Sequence, residues 1–377
     1  MSEIKVNSIK GVGASAAAIT VNNTDGTCTA NITNNLSNRN LIINGAMQVA
    51  QRGTVTGITG QKYGGPDRFE THINGLGTWT TSQTSSASDQ NTTGFYNSLK
   101  MQCTTADASP AASDYAIIQH HIEGYNVAQL QWGTANAKQV TLSFWCKANI
   151  SGWSSGTKSF VAEIQGGTTT YESGILVTLN ANDTWQKISV TFPAQTVQAL
   201  NTTNAVGFSI SLWLDAGSTF TSGTLSSSWS NKANGDRAAG CSLGLGNNTA
   251  NYFQISGFQL EVGSVATDFE HRSFGQELAL CERYYQIVKS GSGKTNSGGQ
   301  YAFRVGLSPT MRSTPSAILL SGSSGLDEIY VAQRTISSVG IYRGSNTSVG
   351  ITGNHTDANN NVQINVEADK IALEAEL

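Results

Sequence analysis

The stretch Lys138-Gln139-Val140-Thr141-Leu142-Ser143-Phe144-Trp145-Cys146-Lys147-Ala148 alternates strictly. Val140, Leu142, Phe144, Cys146 and Ala148 share one side; Thr141, Ser143, Trp145 and Lys147 share the other. Successive side chains of a strand point to opposite faces, so period two with one apolar side marks a half-buried strand. The pattern recurs at 184–192, where Ile188, Val190 and Phe192 oppose Trp185, Lys187, Ser189 and Thr191. It recurs at 206–214, where Val206, Phe208, Ile210, Leu212 and Leu214 point inward and Ser209, Ser211 and Trp213 outward. Weaker strands are predicted near 97–103, 114–123, 158–165, 174–179 and 251–261. With no helical periodicity between them, the expected fold is all-β, an antiparallel sandwich of the jelly-roll type.

Outward from this region the pattern changes. Phe274, Leu278, Cys281, Tyr285 and Val288 recur at spacings of four and three, with Ser273 placed to cap. One amphipathic helix is predicted over 273–288, packed on its own sandwich or bundled about a symmetry axis. The loop 290–299 follows, then short strands at 301–307, 316–320, 328–332, 338–343 and 362–366. Residues 1–38 hold no aromatic residue and cannot bury much alone. The expected organisation is an anchoring or docking segment (1–38), the sandwich (39–272), the helix (273–289) and a smaller C-terminal β domain (290–377).

Composition narrows the class. Charged residues are 12% of the chain, about half the usual share of roughly 25%. Disorder does not follow, because 7 Trp, 12 Phe and 11 Tyr can build a core. A net charge of −3 without a basic run excludes a nucleic-acid partner. Five isolated cysteines, Cys28, Cys103, Cys146, Cys241 and Cys281, lack the spacing of a zinc site or a disulfide framework. No apolar run is long enough to span a membrane, and the first residues lack a secretory apolar core, so folding in a reducing cytoplasm is expected. A hydroxyl- and amide-rich exterior suits neutral partners: sugars, or a packed neighbouring chain.

Three stretches carry a resemblance. They are Asn40 to Gly53 (NLIINGAMQVAQRG) with Tyr63 to Phe69 (YGGPDRF), Trp185 to Phe192 (WQKISVTF), and Phe253 to Glu270 (FQISGFQLEVGSVATDFE) running into Glu277 to Tyr285 (ELALCERYY). Together with the opening Met1 to Asn7 (MSEIKVN) they resemble tail-fibre and minor structural proteins of tailed bacteriophages, especially marine and cyanobacterial ones. The resemblance covers roughly residues 40–288. It implies a carbohydrate-binding-like jelly roll, a non-enzymatic virion component and a homo-oligomer, commonly a trimer. It also implies virion partners held through the N-terminal segment, a host surface glycan as ligand, and a location in the particle after assembly in the host cytoplasm. A head fibre, capsid decoration or adaptor without a ligand is the alternative, and a glycan-degrading tailspike a third.

The candidate glycan-binding residues are Trp145, Trp185 and Trp213, each on the polar side of its strand. An indole face beside Ser, Thr or Lys fits the C–H face of a sugar; a covering loop or a sister subunit would explain the same placement. Arg68, Glu70, Glu261 and Asp268 are scarce charges expected to pair with each other or with backbone groups. A structural calcium ion is the sharper reading, although no Asp-x-Asp-x-Asp-Gly loop is present. No cofactor and no catalytic residue are expected. His120 and His121 fall on opposite strand faces. Glu123, Glu163, Glu172, Asp183 and Asp215 are the acids from which a glycosidase pair would have to come.

Overall fold

The computed structural model describes residues 6–10, 12, 19–21, 28–30, 38–166, 171–289, 291–295, 299–320, 324–328, 333–354, 363–366 and 370–377. Three short N-terminal strands, β1 (Ser8–Ile9), β2 (Ile19–Val21) and β3 (Cys28–Ala30), form a small antiparallel sheet. The sandwich strands follow: β4 (Val55–Ile58), β5 (Gln61–Tyr63), β6 (Phe69–Asn74), β7 (Thr78–Ser85), β8 (Asn97–Thr105), β9 (Tyr115–Glu123), β10 (Val140–Asn149), β11 (Lys158–Gly166), β12 (Tyr171–Leu179), β13 (Gln186–Phe192), β14 (Val206–Ala216), β15 (Ser230–Asn231) and β16 (Tyr252–Val262). They make a six-stranded sheet, β13-β10-β16-β8-β7-β4, and a seven-stranded sheet, β15-β12-β11-β14-β9-β6-β5. From β9 onward the chain passes repeatedly between the sheets, the jelly-roll habit.

The inward side chains of β10 are the five that the alternation selects, and all are buried. They register with the inner residues of both neighbours: Leu142 faces Leu260 on one side and Val190 on the other. Phe160, Phe208, Ile210, Leu212 and Phe253 close the core from across the sandwich and along the sheet. Burying each such side chain contributes about 1.5–3 kcal/mol.

One irregularity shapes the outer surface. In β16, Ile255 and Phe258 both point inward although three residues apart, and pairing with β10 slips between Ser143–Gln259 and Trp145–Ser256. Gly257 takes up the slip with φ +61°, and a Cβ there would sit 2.4 Å from the Phe95 ring. This bulge needs glycine for both reasons.

Several elements differ from expectation. Strands β4 to β7 and the helix α1 (Ala87–Thr93) carry too little apolar period to be read. Ser86 caps α1 through Asp89 N, and Gly94 ends it in the left-handed region. The linking helix, α2, is Phe274–Glu282, shorter than the predicted 273–288. It has the capping box of Ser273 and Gln276. Tyr285 and Val288 leave the helical register because Tyr285–Ile287 becomes β17, paired with β26 (Ile371–Glu374) from the far end of the chain. Phe274, expected on the buried stripe, is 56% exposed.

Within the C-terminal region, β18 (Gly291–Thr295) lies inside the stretch expected to be loop. Gly293 allows this, since a Cβ there would meet Ala302 O at 2.0 Å. The remaining strands are β19 (Gln300–Gly306), β20 (Ser316–Leu319), β21 (Ser324–Glu328), β22 (Gln333–Thr335), β23 (Gly340–Gly344), β24 (Ser348–Asn354) and β25 (Gln363–Val366). Residues 329–332 of the predicted strand 328–332 lie outside the described residues. Tyr301, Phe303, Met311, Ile351, Ile371 and Leu373 form a separate core here.

The stretches 40–53, 63–69, 253–270 and 277–285 converge. Asn40 Oδ1 accepts from Leu260 N at 3.1 Å, and Arg272 Nη1 donates to Ile42 O at 2.9 Å. Asn44 N donates to Glu277, and Gln51 Nε2 donates to Tyr285 O at 2.9 Å. The guanidinium groups of Arg52 and Arg68 stack on Tyr285 and Tyr284 at 3.7 and 3.6 Å. Three of the four scarce charges pair outside their own set, and the fourth residue, Asp268, is held through its backbone. Arg68 pairs with Glu376, Glu70 with His121 at 3.4 Å, and Glu261 with Arg39 at 3.8 Å. The Asp268 carbonyl accepts from Gln259 at 3.3 Å.

Candidate functional site

The outer face of the six-stranded sheet carries a checkerboard of tryptophan and lysine. Trp145 of β10 is paired with Lys187 of β13. Trp185, one residue before β13, lies beside Lys147, whose ammonium is 5.2 Å from the indole centre. The two tryptophans therefore stand diagonally on neighbouring strands, and both are half-buried. Next to Lys147, β16 contributes Gln254, and next to that β8 contributes Lys100.

Two acids fix one lysine of the four-residue board. Lys147 Nζ lies 3.7 Å from Asp89 of α1 and 3.8 Å from Asp183. Asp183 sits in a turn at φ +48° and accepts from Tyr252 OH at 2.5 Å. Burial, and then the Asp183 carboxylate, push the Tyr252 phenol well up. Lys100 Nζ stands 4.2 Å above the Tyr252 ring, and burial followed by the Lys147 charge lowers its pKa. Lys187 is exposed. The Trp185 indole nitrogen is buried and has no hydrogen-bond partner.

Beside Trp145 a groove of about 230 Å³ opens. Ser143, Trp145, Gly257, Phe95, Asp268 and His271 are among the residues that line it. Phe95 stacks on His271 with ring centres 5.6 Å apart and meets Phe269 edge-on at 4.8 Å. The groove is smaller than the roughly 300–1,000 Å³ of pockets for drug-sized ligands, so it suits one small ring. Flat aromatic faces and interleaved ammonium, carboxylate, amide and hydroxyl groups can stack on a ring and bond its polar edge together.

Trp213 does not belong to this site. It lies on the outer side of the seven-stranded sheet, where alternation puts it, but it is fully buried. Its Nε1 donates to Glu163 at 2.9 Å, and Arg237 covers its ring at 4.5 Å. Phe220 packs against it at 5.1 Å. The segment 217–241 closes over it, so Trp213 offers no face to a sugar. The signal in the sequence is the long connection between β14 and β16, which carries its own Phe220, Leu225 and Trp229.

Of the five acids, Glu163 and Glu172 are brought together, diagonal across β11 and β12. Both are buried, at 1% and 4% exposure, so no substrate reaches between them. Glu123 is taken by Arg283 and by Tyr284 OH at 2.7 Å. Asp215 accepts from Gly246 N at 2.8 Å, and Asp183 belongs to the tryptophan face. His120 packs inward on Phe69 at 4.9 Å, while His121 on the other side meets Ser209 Oγ at 2.7 Å. Among the described residues, no group of three or more His, Cys, Asp or Glu side chains is gathered as a metal site.

No known protein family and no curated protein matches this chain. Solved structures that align with it include TmCBM61 in complex with β-1,4-galactotriose, at TM-score 0.30 and 8% identity, over 60% of this chain and 99% of that one. Another is the enzymatically active domain of bacteriophage CBA120 tailspike protein 4, at TM-score 0.28 and 10% identity, over 60% of this chain and 22% of that one. A CBM4 structure aligns at TM-score 0.26 and 14% identity, over 58% and 98%. Likeness at this level carries no argument about a ligand, and the sandwich assignment rests on this chain's own two sheets.

Proposed function

We propose that this chain is a non-enzymatic adhesion component of a tailed-phage virion, a tail fibre or similar part, which binds host glycans through the Trp145–Trp185 face. The observation that carries the glycan reading is the diagonal pair of half-exposed indoles interleaved with Lys147 and Lys187. Large apolar faces seldom stay accessible without a partner, and here each has hydrogen-bonding groups at its side. The virion assignment draws on the resembling stretches, of which 40–53, 63–69, 253–270 and 277–285 pack together. A homotrimer would multiply weak single sites through valency, with residues 1–38 as the anchor.

The test is a glycan array probed with the intact oligomer, wild type against Trp145→Ala. Binding that the substitution abolishes supports the reading. Absence of any host-glycan binding by the intact oligomer would leave a structural part without a ligand. Antibody-labelled particles in negative stain would locate the chain, and a position on the head would rule out the tail fibre.

A further inference from the structure

Segment 217–241 crosses the outer side of the seven-stranded sheet and is tied down along its length. Gly217 N donates to Asp114 O at 2.8 Å, Gly174 N donates to Ser226 O at 2.8 Å, and β15 pairs with β12. Phe220 and Ala238 fill the space above Trp213, Ile117 and Val161, with Tyr115 at the border.

A cluster of charge closes the segment over the indole. Arg237 grips both oxygens of Glu163, Nε to Oε1 and Nη2 to Oε2, each at 2.8 Å. The same Glu163 accepts from Trp213 Nε1. Glu172 is the second acid. Its Oε1 accepts from Ala233 N of the segment at 3.1 Å. Its Oε2 is buried without a hydrogen bond, 3.5 Å from Arg237 Nε. One guanidinium, whose Nε and Nη2 are aimed at Glu163, thus faces two buried carboxyl groups.

We propose that Glu172 is a proton-operated latch: protonated, it lets segment 217–241 lie closed over Trp213, and deprotonated it loosens the segment and exposes the indole. An ionised Glu172 would place a second negative charge beside Glu163, the two sharing Arg237 and the ammonium of Lys232, with one buried oxygen left without a hydrogen bond, and desolvating such a charge is costly. Burial, and then the Glu163 carboxylate, push the Glu172 carboxyl up to about 7, which puts the change in the neutral range. The other groups that bear on the cluster are Lys232, whose pKa burial and then Arg237 lower, together with Tyr115 and His72, which face Arg237. None supplies a second fork for Glu172. Opening would bare Trp213 and Tyr115 beside Gln119 and Ser211. That is an aromatic and polar surface on the opposite side of the sandwich from Trp145 and Trp185, and independent of them.

Hydrogen exchange of the intact chain tests this, with protection in 217–241 corrected for intrinsic rates from pH 5.5 to 8.5. If Glu172 in the opened form has an ordinary carboxyl, protection falls by about thirtyfold over this range and levels off above about pH 8. Glu172→Gln should keep the segment closed and flatten the profile, while peptides from β10 stay unchanged in both proteins. A flat wild-type profile overturns the latch, whether or not the variant folds. So does a Glu172→Gln profile that keeps the wild-type slope.

Discussion

Arg68 and Glu376 form a buried ion pair although 308 residues separate them in sequence. Arg68 holds φ +74°, donates its second amino group to His121 O at 2.9 Å, and lies under the Tyr284 ring. Burial is the largest single influence on Arg68 and lowers its pKa, but Glu376, Tyr284, Tyr63 and Cys281 together more than offset it and raise the pKa. Removing one partner of such a pair strands the other charge. Glu376→Ala should therefore destabilise the chain by about 3–5 kcal/mol, read in chemical denaturation. A loss below about 1 kcal/mol would mean the C-terminal residues do not secure the sandwich.

The three tryptophans should separate by behaviour. Trp145→Ala and Trp185→Ala remove half-exposed rings and should cost glycan affinity with little change in melting temperature. Trp213→Ala empties a fully buried site and should cost about 3–5 kcal/mol of stability. Thermal melts and glycan binding measured on all three variants give the comparison. A melting loss confined to Trp145 and Trp185 would reverse the assignment.

Gly257→Ala places a Cβ against the Phe95 ring at a left-handed position. Strain of this kind costs about 1–3 kcal/mol. Because Phe95 lines the groove beside Trp145, the substitution should also weaken ring binding. Denaturation together with a titration against a bound glycan would show whether the two losses occur together.

His120 carries an acid limb. Burial, and then the Arg68 charge, hold its imidazole well below the usual 6.5. The unfolded chain therefore takes up that proton first as pH falls below about 6.5, and the folded form loses stability by up to about 1.4 kcal/mol per pH unit. His120→Gln should lack this component. A denaturation series from pH 7.5 to 4.5 on both proteins measures it, and parallel curves would refute it.

What the sequence made legible was local. Along β10, β13 and β14 every second residue is apolar, so the sheets and their buried sides could be read from neighbours two positions apart. Strand β7 hid because its inward residues are Trp79 and Thr81, and Thr81 meets Thr71 of the facing sheet through a hydroxyl pair at 2.8 Å. A polar residue satisfied across the core leaves no apolar period. The end of α2 was equally hidden, since Tyr285–Ile287 is drawn into a strand by residues some ninety positions away. Of the candidate site, Trp145 and Trp185 were visible; Asp183 was named only as a candidate acid, and Asp89 and Tyr252 were not singled out. Asp89, Asp183 and Tyr252 reach Lys147 and Lys100 from three separate elements. Nothing in the β14 alternation announces that 217–241 folds back over Trp213.

The strict two-residue phase of β10 and β13 has an evolutionary reach. Trp145, Lys147, Trp185 and Lys187 can all change without altering a residue that holds the two sheets together. Selection acting on that face can therefore rewrite those four letters while the apolar set behind them stays fixed, at a cost confined to local contacts such as those of Lys147 with Asp89 and Asp183.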